Sequence, residues 1–272
     1  MSYERLVDGT IDYLPCRYGK SKLTFRGPRT ALNEPYIAFV GGTVTYGKFV
    51  EVPYPDLLGR EAGVAALNLG FVNAGIDTFI DDDTVLDLCS GARACVIEVM
   101  GANKLSNRHY SVHPRRNDRF VAASQELQRL YPEADYSEVH FTRHLLSTLH
   151  AIDARRFAAV TDELAEAWTS RMLLFIRSIN VPVTLLWVSD RSPDERQDAL
   201  TGSDPLFVTR DMIDAVCQQA EGCIEVVHPS ADRPDEGMVF SELEFQAARE
   251  LPGPAIHRQI AADLSPALRA RI

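Results

Sequence analysis

The sequence has no hydrophobic run long enough to cross a membrane. Its longest stretches without a charged residue are Tyr36–Gly47 and Ala62–Ile76. Both contain polar residues and glycines, and both are shorter than the ~20 apolar residues that a spanning helix needs. The N-terminus also lacks the basic start and apolar run of a signal peptide. These absences predict a cytoplasmic protein without a membrane partner.

Cysteine is scarce and shows no redox or metal-binding spacing. The five cysteines are odd in number, widely spaced and without a Cys-x-x-Cys pair. In a cytoplasmic protein this usage predicts reduced thiols. No set of three ligands stands at a recognised metal spacing, so neither a metal nor a cofactor is expected.

An excess of basic charge is also missing. The chain has 28 Lys and Arg against 38 Asp and Glu, a formal net charge of −10. Such a chain does not wrap nucleic acid through its overall field, so any anion site must be a local basic island. Apolar residues make up 46% and charged residues 24%, which excludes a disordered chain and a coiled coil. The composition leaves oligomerisation open.

Strand-like and helix-like segments alternate along the chain. Five short apolar runs predict strands of a parallel sheet covered on both faces. They are Tyr36–Val40, Ala65–Leu69, Ala94–Met100, Val181–Val188 and Cys223–Val227. The helical periodicity between them predicts a three-layer α/β sandwich around a mostly parallel five-stranded sheet. We expect one domain over 1–272, with an N-terminal extension over 1–35 and a long helical insertion over 104–156.

Two helices have recognisable starts. The carboxylates of Asp81–Asp83 precede a helix predicted over Val85–Ala92, and Thr209 precedes one predicted over Arg210–Ala220. Aspartate and threonine are both residue types that cap helix N-termini. We therefore expect each to accept a hydrogen bond from the first turn of its helix.

Three of the predicted strands end in small-residue turns. These turns are Gly41–Gly47, Gly70–Gly75 and Gly101–Asn103. Because ligands bind at the carboxyl ends of strands in open α/β sheets, the three turns are expected to share one pocket. Their backbone N–H groups suit an oxyanion or another anion. The alternative is that they are merely tight strand–helix turns.

The same turns resemble the sequence blocks of SGNH (GDSL) hydrolases, which have a flavodoxin-like fold. The similar strings are GGTVTYG at 41–47, LNLGFVNAG at 67–75 and VIEVMGAN at 96–103. The resemblance implies an esterase or acyl-transfer site with Thr43 in place of the serine nucleophile. Asn103 takes the place of the oxyanion-stabilising asparagine. The second oxyanion position falls on Asn73 or Gly75.

The chain departs from these blocks at the residues that activate the nucleophile. Threonine replaces serine, Gly42 replaces an aspartate, and the DxxH block that supplies the base is absent. His257 corresponds to a non-catalytic residue of the helix after that block, which leaves His228 and His113 as alternatives for a base. A hydroxyl without a base stays protonated and is a weak nucleophile. An imidazole hydrogen-bonded to Thr43 would therefore favour catalysis, and its absence would favour binding or a different, uncharacterised chemistry.

A longer pattern resembles the alphaproteobacterial family DUF6473. It runs from CRYG at 16–19 through FRGP, GGTVTYG, NLGFVNAG, VMGAN and SNRHYSVHPRRNDRF to FTRHLL, RMLL and LLW at 185–187. A sulfotransferase label on some members of that family adds a weaker alternative function. The string nearest to a sulfotransferase phosphate turn, Gly19–Lys22, lacks the required glycines and follows no apolar strand.

The insertion carries a local basic island. Arg108, His113, Arg115, Arg116 and Arg119 follow the carboxyl end of the third strand. Because arginine binds carboxylate, phosphate or sulfate with two parallel hydrogen bonds, we expect these residues to bind a small anionic substrate or ligand over the pocket. The alternative is a solvated loop whose arginines pair with surface carboxylates.

Two further features invite a chemical interpretation. His140 and His144 are four residues apart in a predicted helix, which suits a metal, although a structural pair is the simpler reading because no third ligand is evident. Glu98 is a carboxylate inside an apolar strand. Its burial requires a partner such as an arginine. The two interpretations of Glu98 are a member of a structural ion pair and a proton acceptor.

The sequence thus supports two main functions and leaves open whether the chain is an enzyme. One is an SGNH-like esterase or acyl-transfer enzyme that uses Thr43 on a small anionic substrate. The other is a catalytically degenerate protein of the same fold that binds an anion or a carbohydrate. A sulfotransferase is the weaker third alternative.

Overall fold

The computed structural model describes residues 11–195, 202–228, 236–269 and 271. Its strands are β1 (Tyr36–Gly41), β2 (Ala65–Gly70), β3 (Ala94–Glu98), β4 (Tyr110–His113), β5 (Arg116–Ala123), β6 (Val183–Ser189) and β7 (Gly222–Val227). Five of them form a parallel sheet in the order β2-β1-β3-β6-β7, and β4 and β5 form a separate antiparallel hairpin. All five strands predicted from the apolar runs are present.

The strand order determines where a ligand site can form. The chain enters the sheet at β1, adds β2 on one side, and then crosses to β3 on the other side. The remaining strands extend the sheet beyond β3. This is the flavodoxin-like order, in which the change of direction opens a crevice at the carboxyl ends of β1 and β3.

Helices cover both faces of this sheet. The described α-helices are α1 (Thr43–Tyr46), α2 (Tyr54–Ala62), α3 (Asp83–Ser90), α4 (Gln125–Leu130), α5 (Thr142–Ile152), α6 (Phe157–Arg177), α7 (Arg210–Cys217), α8 (Phe245–Arg249) and α9 (Pro254–Arg269). Successive residues of β1 point to opposite layers: Phe39 packs with α2 and α9, and Val40 packs with the layer that contains α3, α6 and α7. The strands are apolar at nearly every position because both faces are covered. None of the described helices is long and apolar enough to span a lipid bilayer.

The described part of the N-terminal extension packs into the core. Cys16 and Phe25 form an antiparallel bridge, and Tyr18 and Phe25 are buried. Arg26 is also buried, and its guanidinium donates to the carbonyl oxygens of Gly47 (2.7 Å) and Glu51 (2.7 Å). These bonds fix the chain just after α1. Residues 1–10 of the predicted extension lie outside the described residues.

The insertion over 104–156 is only partly helical, which corrects the sequence prediction. It begins with the β4–β5 hairpin, which buries Tyr110 and Val112 while much of β5 stays exposed. The arginines in and beside β5 interrupt the apolar–polar alternation that would predict a half-buried strand. Helix α5 begins at Thr142, so His140 precedes it and does not share a helix with His144. Among the described residues, no group of three or more His, Cys, Asp or Glu side chains is arranged to hold a metal.

Two local predictions were wrong and one was confirmed. Asp82 caps α3 as expected, accepting from the Val85 N–H at 3.2 Å. Thr209 occupies the N-cap position of α7, but its side chain makes no capping hydrogen bond. Cys217 and Cys223 form a disulfide between the end of α7 and the start of β7, so the prediction of five reduced thiols was wrong. The turn between α7 and β7 brings these two residues together.

Candidate functional site

A cavity of about 730 Å³ opens at the carboxyl ends of the parallel strands. Thr43, Asn73 and Asn103, from the turns after β1, β2 and β3, all line it. The expected convergence of the three turns is therefore present. It follows from the strand order, which places β1 between β2 and β3.

A buried carboxylate holds the turn after β1. Glu98, the last residue of β3, accepts from the backbone N–H groups of Gly42 (3.0 Å) and Thr45 (2.9 Å) and from the Thr45 hydroxyl, all through Oε2. The Thr45 hydroxyl also bonds the Tyr54 hydroxyl at 2.8 Å. Burial raises the pKa of Glu98, and the hydrogen bonds from Thr45 oppose that rise. No described arginine pairs with Glu98, so its partner is a turn of backbone rather than the arginine that the sequence suggested.

Gly41 makes this arrangement sterically feasible. A Cβ on Gly41 would lie 2.2 Å from the Thr45 hydroxyl and 2.4 Å from Glu98 Oε2. Both distances are far below van der Waals contact, so any side chain here would displace the carboxylate from the turn. The first glycine of the Gly-Gly-Thr string therefore serves the Glu98 contact.

The Thr43 hydroxyl is held by its neighbour in the second turn. Its oxygen accepts from the Asn73 N–H at 3.0 Å, and its proton is directed at Asn73 Oδ1 at 3.5 Å. Asn73 has a φ of 59°, the left-handed region that asparagine tolerates better than most residues. Its side chain then donates to Asp118 Oδ2 at 3.2 Å, which ties this turn to β5. No described histidine forms a hydrogen bond with Thr43.

The second candidate for an oxyanion donor is also engaged. The Gly75 N–H donates to Asn117 Oδ1 at 2.9 Å, and the same oxygen accepts from the N–H and the hydroxyl of Thr78. A Cβ on Gly75 would lie 1.9 Å from the Lys104 carbonyl oxygen, so the close approach of these two backbone segments requires glycine here. The sequence left Asn73 and Gly75 as alternatives, and in the structure both N–H groups already have acceptors within the chain.

Asn103 is positioned by the insertion. It is buried, and its Nδ2 donates to the Thr142 hydroxyl at 3.1 Å. Its Oδ1 is buried and has no hydrogen-bond partner among the described residues. The indole of Trp168 donates to the Met100 carbonyl at 2.8 Å, which fixes the start of the same turn from α6.

Four histidines that could act as a base or a ligand lie in three different places. His257 is in the core between α9 and α2, where its Nδ1 accepts from the Tyr54 N–H at 3.1 Å. Burial lowers the pKa of His257 to about 3, so it is a neutral core residue, in agreement with its non-catalytic assignment. His228 and His144 line the cavity. His113 does not, and its Nδ1 accepts from the Arg115 N–H at 3.2 Å.

The arginines singled out in the sequence do not line this cavity. Arg108 lines a second groove, where it pairs with Glu163 and Glu166. Arg115 and Arg116 are exposed, with Arg116 3.6 Å from Asp118, and Arg119 lies over the Phe141 ring at 5.1 Å. Their role in ligand binding stays a prediction.

Other cations line the cavity instead. Lys104 Nζ lies 2.6 Å from Asp204 Oδ2, and Arg143 Nη2 lies 3.3 Å from Asp204 Oδ1. Arg143 also donates to the Gly202 carbonyl at 2.8 Å. Sequence reasoning missed Asp204 because it stands a hundred residues from Lys104. Asn117 and Asp118 stand between Arg116 and Arg119, and nothing in that basic stretch indicates that they bond the turn after β2.

The string Gly19–Lys22 lies away from the cavity. The Lys20 N–H donates to the Thr84 hydroxyl at 3.3 Å, and the Ser21 hydroxyl donates to Asp82 at 2.7 Å. These contacts place it against the start of α3. The described residues therefore give the sulfotransferase alternative no phosphate-binding turn at this string.

Two solved structures are similar to this chain at low identity. The lipase Lip_vut3 from a goat rumen metagenome is 12% identical with a TM-score of 0.40, over 87% of this chain and 97% of that one. BT4096, a gut microbial diltiazem-metabolizing enzyme, is 10% identical with a TM-score of 0.42, over 88% of this chain. This chain spans 47% of that enzyme. No curated protein matches the chain.

The family comparison covers the complete sequence. Residues 1–272 match a family described as a domain of unknown function, DUF6473. The long pattern from CRYG to LLW had suggested the same family. The protein therefore belongs to the DUF6473 family.

Proposed function

We propose that this protein binds a small polyhydroxylated ligand of the carbohydrate class in the cavity and does not cleave it through Thr43. One observation carries the proposal: the Thr43 hydroxyl is hydrogen-bonded to Asn73 and to no imidazole of the described residues. The cavity at the carboxyl ends of the strands is present, and among the described residues no base forms a hydrogen bond with the Thr43 hydroxyl.

The argument against nucleophilic attack concerns the proton. A hydroxyl becomes a useful nucleophile when an adjacent base removes its proton. The acceptor within reach of the Thr43 hydroxyl is Asn73 Oδ1 at 3.5 Å, and an amide oxygen is too weakly basic to take its proton. The Thr43 oxygen, in turn, already accepts a hydrogen bond from the Asn73 N–H.

The argument against transition-state stabilisation concerns the donors. An oxyanion hole requires N–H groups that point at the position where negative charge develops. The backbone N–H groups of Asn73 and Gly75 each donate to an acceptor within the chain, and one N–H of the Asn103 amide donates to Thr142. Using the two backbone groups in catalysis would require breaking their bonds in each turnover.

The lining favours a ligand with many hydroxyl groups. Asn103 and Asp118 line the cavity, and the Oδ1 atom of each has no hydrogen-bond partner among the described residues, so ligand hydroxyls can donate to them. Phe141 lines the same cavity and is 42% exposed. An exposed ring beside convergent polar groups is a common arrangement in small-molecule pockets, and its face can pack against the C–H face of a sugar ring.

A sugar panel tests the proposal. We expect at least one of a set of neutral and charged monosaccharides and disaccharides to raise the melting temperature of the protein and to give a Kd by calorimetry. Phe141→Ala should weaken that Kd about three- to tenfold, as expected for loss of one aromatic contact. Leu174→Ala, which removes an exposed apolar side chain on α6 outside the cavity, is the control. The absence of binding by every sugar would overturn the proposal.

The esterase alternative has one observation in its favour, since Thr43, Asn103 and His228 line the same cavity. It predicts hydrolysis of p-nitrophenyl acetate or butyrate that is lost in Thr43→Ala and kept in Thr43→Ser. The binding proposal predicts no turnover in any of these three proteins.

A further inference from the structure

One carboxylate in the cavity wall has a free oxygen. Glu98 is 8% exposed and lines the cavity. Its Oε2 accepts every hydrogen bond that the described residues make to this side chain. Its Oε1 accepts none of them. One oxygen therefore holds the turn after β1, and the other is available to a ligand.

The hydrogen bonds to the turn after β1 explain why an acceptor stands at position 98, but they do not explain why it is a carboxylate. A glutamine would offer the same carbonyl acceptor to Gly42 and Thr45 without a buried charge. A buried carboxylate normally has a cation beside it, because its desolvation is costly. Among the described residues, no lysine, arginine or histidine forms an ion pair with Glu98. Lys104 favours the charged form of Glu98 from a distance, but no described cation lies within ion-pair distance of its carboxylate.

The cations near the cavity are already engaged by other carboxylates. Lys104 and Arg143 both pair with Asp204, and Lys48 lies 3.6 Å from Glu244. Of the described residues that line the cavity, five carry a carboxyl group and three are lysine or arginine, beside two histidines. The carboxyl-bearing residues are Glu98, Asp118, Asp190, Asp204 and Glu250. This lining is acidic in balance and does not favour an anion.

We propose that the ligand of this cavity carries an ammonium group and that Glu98 Oε1 pairs with it. The inference rests on the proposed function and narrows its ligand class to an amine-bearing polyol, such as an amino sugar. The ammonium supplies a cation at ion-pair distance, which Lys104 does not, and its N–H groups donate to Oε1. Glu98 is then the residue that distinguishes an amine from a hydroxyl at one position of the ligand.

Matched sugars test this directly. Calorimetry at pH 7 compares glucosamine, galactosamine and mannosamine with glucose, galactose and mannose, and with glucose 6-phosphate. We expect at least one amino sugar to bind at least tenfold more tightly than its neutral parent. Glu98→Gln should reduce that preference to about twofold or less, because the glutamine side chain carries no charge to pair with the ammonium. Glu138→Gln, the same chemical change at an exposed residue outside the cavity, should keep the preference.

The outcomes separate this inference from the function on which it rests. If neutral sugars bind the wild-type protein as tightly as their amino counterparts, or if glucose 6-phosphate binds most tightly, the inference is overturned and the carbohydrate proposal stands. An unchanged preference in a folded Glu98→Gln protein overturns it as well. If no sugar of any charge binds, the proposed function itself fails. The wild-type comparison is decisive even where Glu98→Gln does not fold.

Discussion

Removal of the Glu98 carboxylate should destabilise the protein through the turn after β1. Glu98→Ala leaves the N–H groups of Gly42 and Thr45 and the Thr45 hydroxyl without their shared acceptor. An unsatisfied buried donor costs about 1–3 kcal/mol. Because water from the adjacent cavity can replace part of this bonding, we expect a total loss of about 3–5 kcal/mol. Glu98→Gln keeps a carbonyl acceptor and should lose about 1–2 kcal/mol.

Urea denaturation followed by circular dichroism measures these differences. The midpoints should shift while the slopes stay equal, since the surface exposed on unfolding hardly changes. Glu250→Ala, at an exposed residue of the same cavity, should change stability by less than about 0.5 kcal/mol. A loss below about 1 kcal/mol for Glu98→Ala would refute the view that this carboxylate holds the turn.

Three further predictions concern the core, the insertion and the cysteines. Because burial lowers the pKa of His257 from 6.5 to about 3, the unfolded chain binds a proton there before the folded chain does. Stability should therefore fall as the pH drops below 6.5, by about 2 kcal/mol at pH 5, and His257→Asn should remove this part of the loss in urea denaturation at pH 7 and 5. Asn117→Ala should cost about 2–4 kcal/mol in the same assay because its Oδ1 serves three donors, whereas the exposed Arg115→Ala should stay within about 0.5 kcal/mol; equal effects would contradict the assignment. Denatured protein without reductant should show three thiols by thiol titration and five after reduction, and five in both would exclude the disulfide between Cys217 and Cys223.

The sheet was predictable because its physical requirements are local. A strand covered on both faces must be apolar at nearly every position, and five such runs stand out in the sequence. The turns after the strands could also be predicted from their glycines. Gly41 and Gly75 occupy positions where another chain segment leaves no room for a Cβ. Strand order then brought Thr43, Asn73 and Asn103 to one cavity.

The chemistry of the site was less predictable because it depends on contacts between distant residues. A run of arginines indicates local positive charge but not which way each side chain points. Arg108 pairs with Glu163 on α6 and does not line the cavity. The residues that engage the expected donors, Asn117 and Thr142, have no sequence signature of their own. The insertion was expected to be helical because its hairpin has one exposed face, which makes its strand pattern weak.

The state of the Thr43 hydroxyl is the point on which the binding proposal depends most. Intact-protein mass spectrometry after incubation with a fluorophosphonate, which reacts with activated hydroxyl nucleophiles, measures it directly, with Thr43→Ala as the control. The account predicts no mass increase in either protein, because the Thr43 proton faces an amide oxygen and not a base. One phosphonyl adduct that is present in the wild-type protein, maps to Thr43 and is absent from Thr43→Ala would contradict it.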